Sequence, residues 1–415
     1  VANSHAISSI KGLPELLDRP VIHRSLLSNI PACNSVLAWG RKPSARRAEN
    51  FAARHNLPLI YLEDGFLRSI GAGKDHAPLS IVVDDQGIYY DATSPCRLES
   101  LVLFQHTEEQ LARTRALIGA WQAARVSKYN HAREYVARLP ERYVLVADQT
   151  LGDASIRYGL ADASSFQRML DAALAENPDC MVLLKVHPEV MAGHKRGHFD
   201  LEALATNRRI HVLGVDAHPV SLIEHAEAVY VVTSQMGFEG LLWGKPVRTF
   251  GMPFYAGWGL TKDELPTPER RQPVQIEDLV HAALVDYPRY IDPESGKRCE
   301  VECVIEWMGL QRRMRERFPA IVHALGFSIY KKPIVRSFFQ GSHVKFVRRT
   351  DQLPEDATLA VWGRREVALS PQAEETLHIV RLEDGFIRSV GLGADLVRPL
   401  SWVMDSHGIY YDATR

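Results

Sequence analysis

Two patterns of apolar and polar positions alternate along the chain. Within residues 35–92 the short apolar runs "SVLAWG", "LPLIYL", "SIVVDD" and "GIYYDA" read as strands, and "SARRAENFAARHN" between the first two reads as a helix. From Thr107 to about Leu139 the periodicity is helical. Beyond it the strand-like runs "YVLVAD", "VLLKV", "IHVL", "VYVV" and "PVRTF" alternate with helix-like stretches at Ser164 to Glu176, Leu201 to Ala205, Val220 to Ala226 and Met236 to Trp243. Ser164 with Gln167 three residues on is a capping-box start for the first of these helices. Strict β–α alternation builds a doubly wound parallel sheet, and such sheets bind ligands at the carboxyl ends of their strands. The chemistry is expected in the loops that follow the strands.

A long-range repeat overlies this pattern. "YLEDGFLRSIG" at Tyr61 to Gly71 returns as "RLEDGFIRSVG" at Arg381 to Gly391, "LAWGRKPS" returns as "AVWGRREV", and "GIYYDAT" starts at both Gly87 and Gly408. Glu63 and Glu383 stand 320 residues apart and Asp84 and Asp405 stand 321 apart, so one residue is inserted between "GAGKDHAPLS" and "GLGADLVRPLS". Solenoids and propellers have units of roughly 20 to 50 residues. This is therefore a duplicated module, of which the second copy is expected to be only the beginning. The expected layout is an N-terminal α/β domain over 1–140, a Rossmann-type domain over 141–270, a helical tail and linker over 271–318, and the start of a second module over 319–415.

Composition narrows the class. The chain is 46% hydrophobic and 24% charged with a formal net charge of -1, as expected of a soluble globular protein without the excess of Lys and Arg that nucleic acid demands. Five scattered cysteines build neither a disulfide framework nor a zinc spacing, which fits a reducing cytoplasm. No apolar run is long enough to span a bilayer, so any membrane contact is expected to be peripheral. The chain opens on Val1 and stops at Arg415 just after a motif, and is expected to be a piece of something longer.

The strand-end loops carry most of the candidate chemistry. In "VTSQMGFEGLLWGKP", Thr233 and Ser234 precede a helix start, where hydroxyls and free N–H groups bind phosphate, and Glu239 one turn in is a ribose-hydroxyl acceptor; helix capping alone also accounts for the pair. His187 in "KVHPE" is either a phosphate ligand or a hydrogen-bonded strand-end histidine. Asp148 and Asp153 flank Gly152 in "DQTLGDAS", and Glu63 and Asp64 sit in "LEDG". Carboxylates facing each other across a cleft suit acid–base or nucleophilic work at a sugar centre, although Asp and Gly also favour plain turns. Arg68 has two candidate partners, a ligand carboxylate or Asp64. Asp84 and Asp85 in "VVDDQG" read as a hairpin turn rather than a metal site, because the second copy has Ser406 at the second position. The basic run "QRRMRER" at Gln311 to Arg317 reads as a solvated helix face, with contact to anionic lipid as its alternative.

"LEDGFLRS", "SKYN" at Ser127 to Asn130, "DQTLGDAS", "KVHPE", "VTSQMGFEGLLWGKPV" and "FYAGWGLT", in that order, resemble the KpsC-type capsule polysaccharide proteins of Gram-negative bacteria. The resemblance covers about residues 35 to 310 as one module and 320 to 415 as the start of another. It implies a GT-B-like fold, two Rossmann-type domains facing a cleft, and a cytoplasmic retaining β-Kdo glycosyltransferase at the inner membrane. It implies CMP-β-Kdo as donor with no further cofactor, a lysophosphatidylglycerol-linked Kdo glycolipid as acceptor, and other capsule biosynthesis and export proteins as partners; no metal is expected, because the sequence shows no ligand cluster of the right type. Carried over by motif, Asp153 is the nucleophile, Glu63 or Asp64 the acid–base group, and His187, Ser234 and Glu239 the CMP set. Arg68, Lys128, Tyr129, Asn130, Asp148, Gln149, Lys185, Thr233 and Gln235 join them as substrate-binding candidates. A non-catalytic module that binds nucleotide sugar or glycolipid in a capsule assembly complex is the competing expectation; it would lose the carboxylates that this sequence keeps.

Overall fold

The computed structural model describes residues 1–2, 4–23, 33–71, 76–191, 193–351, 353–369, 375–391 and 397–414. The single-residue insertion between the repeats falls in 72–75 and 392–396, outside the described residues. The chain forms two compact units, Val1–Gly309 and Leu310–Arg415.

The first unit contains two sheets. One begins with β1 (Val36–Trp39), β2 (Leu59–Asp64) and β3 (Ser80–Asp84). The other consists of β4 (Tyr143–Ala147), β5 (Met181–Lys185), β6 (Ile210–Leu213), β7 (Val229–Val231), β8 (Val247–Thr249) and β9 (Lys262–Asp263), all parallel, in the order β6-β5-β4-β7-β8-β9. The order reverses at β4, between β5 and β7, which is the switch point where a doubly wound sheet opens a crevice. β4 is buried along its whole length, as a central strand covered on both faces must be. Its alternate residues divide between two cores, Tyr143, Leu145 and Ala147 in one and Val144 and Val146 in the other. The fold expected from the alternation is the one observed.

The first sheet is mixed rather than parallel. β1 and β2 run parallel, β3 runs back against β2, and β10 (Pro288–Ile291) and β11 (Arg298–Cys299) extend it antiparallel. The segment expected to be a helical tail thus returns to complete the N-terminal sheet. Three local expectations also need correcting. "GIYYDA" is a turn, because Asp84 draws the chain round by accepting from Gln86 N and Gly87 N at 2.8 Å each, and no return strand follows. The helix predicted to reach Leu139 is Glu108–Ala124, ended by Arg125 in the left-handed conformation. The cap of Ala163–Glu176 is Asp162, whose carboxylate accepts from Ser164 N and Ser165 N, two residues ahead of the predicted Ser164 cap.

The second unit is one sheet of β12 (Ile321–Leu325), β13 (His343–Val347), β14 (Thr358–Trp362), β15 (His378–Asp384) and β16 (Trp402–Asp405), in the order β13-β12-β14-β15-β16. β14, β15 and β16 repeat β1, β2 and β3 in register and direction, with Trp362 paired to Leu382 as Trp39 is to Leu62. In the basic run, Arg312 is buried and pairs with Glu316 at 3.2 Å, so this face is not wholly solvated. Among the described residues no helix is long and apolar enough to cross a membrane.

Candidate active site

β1 and β2 end side by side, which brings the "WGR" turn next to Glu63. Trp39 Nε1 donates to Glu63 Oε1 at 2.8 Å, and Asp64 N donates to the same oxygen at 3.2 Å. Gly40 has φ +44°, and a Cβ there would collide with the Tyr90 hydroxyl and Glu63 Oε2, so only glycine lets these two groups share the corner. Tyr90 Oη in turn accepts from Arg41 N at 2.7 Å. Burial, and then the neighbouring Asp64 charge, raise the Glu63 pKa above the ordinary carboxylate range, which suits a group that must hold a proton to deliver it. Of the two partners open to Arg68, the structure has Asp64, with Nε to Oδ1 at 2.8 Å. Arg68 also donates to Ser69 Oγ and His76 O.

The loop after β4 serves two purposes. Asp148 turns away from the surface: Oδ1 accepts from Gln149 N at 2.8 Å and meets His198 Nδ1 at 3.2 Å, and the His198 ring stacks on Phe166. This residue orients the loop. Gly152 takes φ +88° with open space where a Cβ would stand, and Asp153 follows as an exposed carboxylate at the start of the helix Ala154–Tyr158. Its Oδ1 accepts from Ser155 N and Ser155 Oγ, both at 2.9 Å, while Oδ2 receives no hydrogen bond among the described residues.

The loop after β7 is tied to that loop by a small polar knot. Gln149 Oε1 accepts from Thr233 N at 3.0 Å, Gln149 Nε2 donates to Thr233 Oγ1 at 3.1 Å, and Thr233 Oγ1 lies 3.0 Å from Ser155 Oγ. Ser234 Oγ accepts from Met236 N, the capping alternative, while Ser234 O accepts from the Tyr255 hydroxyl. Gln235 Nε2 crosses to the other half of the unit and donates to Phe66 O at 2.7 Å. At the end of β5, Lys185 Nζ donates to Val186 O and Val215 O, and burial lowers its pKa to about 8. His187 is exposed at the same edge, and after the hydrogen bond from His131 both Lys185 and His187 help to hold the Asp216 pKa below its ordinary value.

Glu239 and the "SKYN" segment lie further in than a ligand-binding role at the cleft surface requires. Glu239 is 2% exposed and accepts from Ser127 Oγ on both oxygens at 2.9 Å and from Lys128 N at 3.1 Å. Burial pushes its pKa up to about 7, against the opposing effect of those donors. Asn130 is equally buried and bonds Ser127 O and Ser69 O. Both side chains clasp the two halves of the unit together. Lys128 and Tyr129 remain half-buried, and the Lys128 charge bears on both Glu63 and Glu239.

Tyr89 joins the two carboxylate loops. Its hydroxyl is driven well above the usual phenol range by burial, and then by the charges of Glu63, Tyr90, Asp64 and Asp153. The charges of carboxylates from loops of both sheets thus reach one half-buried tyrosine. A family model described as capsule polysaccharide biosynthesis protein matches residues 34–138 and 106–290, which together contain all of these groups. The chain belongs to this family. The capsule polysaccharide modification protein LipA of Neisseria meningitidis serogroup A is 41% identical over 99% of the chain, and the chain spans 61% of that relative's length. Among solved structures, the β-Kdo 2,4 transferase of Thermosulfurimonas dismutans KpsC matches with TM-score 0.68 and 41% identity over 74% of this chain and 96% of that one. The β-Kdo 2,7 transferase of the same KpsC matches with TM-score 0.52 and 31% identity over 66% and 84%. The KpsC-type resemblance and the GT-B-like α/β fold read from the motifs are borne out.

Sequence reasoning missed Tyr89, Tyr90 and Trp39 as neighbours of the Glu63 loop. Their signal was the recurrence of "WGR" and "GIYYDAT" itself. The second unit repeats part of this arrangement: Asp384 N donates to Glu383 Oε1 as Asp64 N does to Glu63, and Arg388 pairs with Asp384 at 2.8 Å as Arg68 does with Asp64, while the Tyr411 hydroxyl donates to Glu383 Oε2 at 3.2 Å.

Proposed function

We propose that the first unit is a retaining glycosyltransferase that moves β-Kdo from CMP-β-Kdo to a glycolipid acceptor during capsule polysaccharide biosynthesis. The observation that carries this reading is that the charges of Glu63, Asp64 and Asp153, from loops of two different sheets, all reach the Tyr89 hydroxyl. A binding module has no use for three carboxylates beside an anionic sugar. The names of the two solved KpsC transferases support the choice of Kdo.

Departure of CMP from a tertiary anomeric carbon that bears its own carboxylate proceeds with oxocarbenium character and requires neutralisation of the leaving phosphate. Lys185, His187 and the Ser234 turn form the side of the crevice suited to that anion. Asp153, exposed and with no hydrogen bond to Oδ2 among the described residues, attacks the anomeric carbon and takes the sugar as an ester while CMP leaves; the acceptor hydroxyl then displaces the Asp153 carboxylate, and two inversions retain configuration. Glu63, protonated to a higher pH than an ordinary glutamate, supplies the proton in the first step and removes the acceptor proton in the second. The test mixes the protein with CMP-β-Kdo and a synthetic Kdo-bearing acceptor. CMP release that depends on the acceptor, together with one Kdo mass on the protein when the acceptor is left out, is the expected result; donor binding without turnover returns the reading to a binding module.

A further inference from the structure

Away from the cleft, His106 precedes the helix Glu108–Ala124 and faces the helix Ile276–His281 as it passes into the π-helical turn Ala282–Asp286. His106 Nδ1 lies 3.0 Å from Asp278 Oδ1, and His106 Nε2 lies 3.4 Å from Asp286 Oδ2. His281 Nδ1 lies 3.1 Å from that same Asp286 oxygen. One ligand atom each from His106, His281 and Asp286 fall within 4.8 Å of one another. The two imidazoles are buried, at 0% and 2% side-chain exposure, while the Asp286 side chain keeps 28% and opens the cluster to solvent.

We propose that this corner binds one divalent transition-metal ion of the zinc class through His106, His281 and Asp286. Tetrahedral zinc with bonds near 2.0–2.1 Å sets its donor atoms about 3.3 Å apart, which the two measured separations bracket. Two imidazole nitrogens and one carboxylate oxygen suit zinc and its neighbours, whereas Mg²⁺ and Ca²⁺ call for oxygen throughout. The local backbone is what unites the set. In an α-helix, residues five apart point about 140° away from each other, and the wider π turn returns His281 and Asp286 to one face; such turns recur at functional sites. Asp278 completes the arrangement from outside, holding the Nδ1 hydrogen of His106 so that Nε2 presents its lone pair. None of these residues belongs to the proposed transferase site. The consequence reaches that site through the next residue: Tyr287 donates to buried Asp84 at 2.7 Å, and its ring lies 6.4 Å from that of Phe66, beneath the Glu63 loop.

The test uses the full chain stripped with a chelator and titrated with Zn²⁺ by calorimetry, and with Co²⁺ by visible absorption. The expected result is one equivalent that raises the Tm of the wild type and gives the d–d bands of a tetrahedral ion. That equivalent is lost in His281→Gln and in the near-isosteric Asp286→Asn. Asp278→Asn is expected to keep the equivalent and weaken it about 10- to 100-fold. Circular dichroism of the metal-free variants separates loss of the site from loss of the fold. If the wild type takes up no ion, or takes up the same number as both ligand variants, the cluster is a hydrogen-bond network alone and the proposal falls.

Discussion

The Asp153 carboxylate caps the helix Ala154–Tyr158 through Oδ1 and leaves Oδ2 without a hydrogen bond among the described residues, so the choice of substitution separates chemistry from local stability. Asn caps as well as Asp, whereas Ala costs about 1 kcal/mol. Asp153→Asn is therefore expected to leave Tm within a degree or so of wild type and to lower transfer by at least about 10³-fold, checked by calorimetry beside CMP release; substantial turnover in this variant would move the nucleophile elsewhere. Glu239 invites a different experiment. Its folded pKa of about 7 lies above the ordinary value of 4.5, so its stabilising share is complete below about pH 4.5 and is lost as pH rises through 7. In Glu239→Gln the amide oxygen can still accept from Lys128 N and the amide nitrogen can donate to Ser127 Oγ. The variant should lose this pH dependence and melt higher than wild type at pH 8 but not at pH 4.5, as thermal unfolding at the two pH values will show. Sequence pointed to Glu239 as a ligand because it sits one turn into a strand-end helix. Its burial against Ser127, far away in the chain, was not written in any local pattern.

At the level of elements, the repeated "WGR" turn and "GIYYDAT" segment act as one device. Gly40 and Gly363 both take positive φ, and at both a Cβ would press on a tyrosine hydroxyl and a glutamate oxygen. Gly40→Ala combines backbone strain with that collision and should destabilise the first unit by roughly 1–3 kcal/mol. It should also displace Glu63 from Tyr90, so that transfer falls further than the loss of folded protein explains; activity normalised to the folded fraction is the relevant measurement. The β–α alternation of residues 143–250 was legible because strands buried on both faces read as continuous apolar runs. The mixed character of the first sheet was not. β10 pairs with β3 across some two hundred residues, and no property of "PRYI" itself announces which edge it will join. The helix expected to continue to Leu139 failed for a related reason, since Arg125 leaves the helix to pair with Glu134 and Glu224.

For the whole molecule, the same motif meets opposite environments in its two copies. Phe66 is fully buried, its ring 4.3 Å from Phe254 and 5.9 Å from Phe238, whereas Phe386 at the matching position is 82% exposed. Phe66→Ala should cost about 3–5 kcal/mol, and Phe386→Ala should stay within about 0.5 kcal/mol. Denaturant melts of the 415-residue chain test the pair, and similar losses would mean that the second copy is covered in solution. What the sequence determined by itself was whatever rests on local pattern or on repetition: the parallel β–α order, the duplication and the motifs that mark the family. These survive translation into structure because strand, turn and loop chemistry depend on near neighbours. Tertiary structure alone decided which polar groups stay exposed and which are taken up by protein partners. Asp148, Asn130 and Glu239 carry the same chemistry as the exposed candidates, yet packing across the two halves gives them protein partners, and a buried polar group takes its partner wherever the fold supplies one.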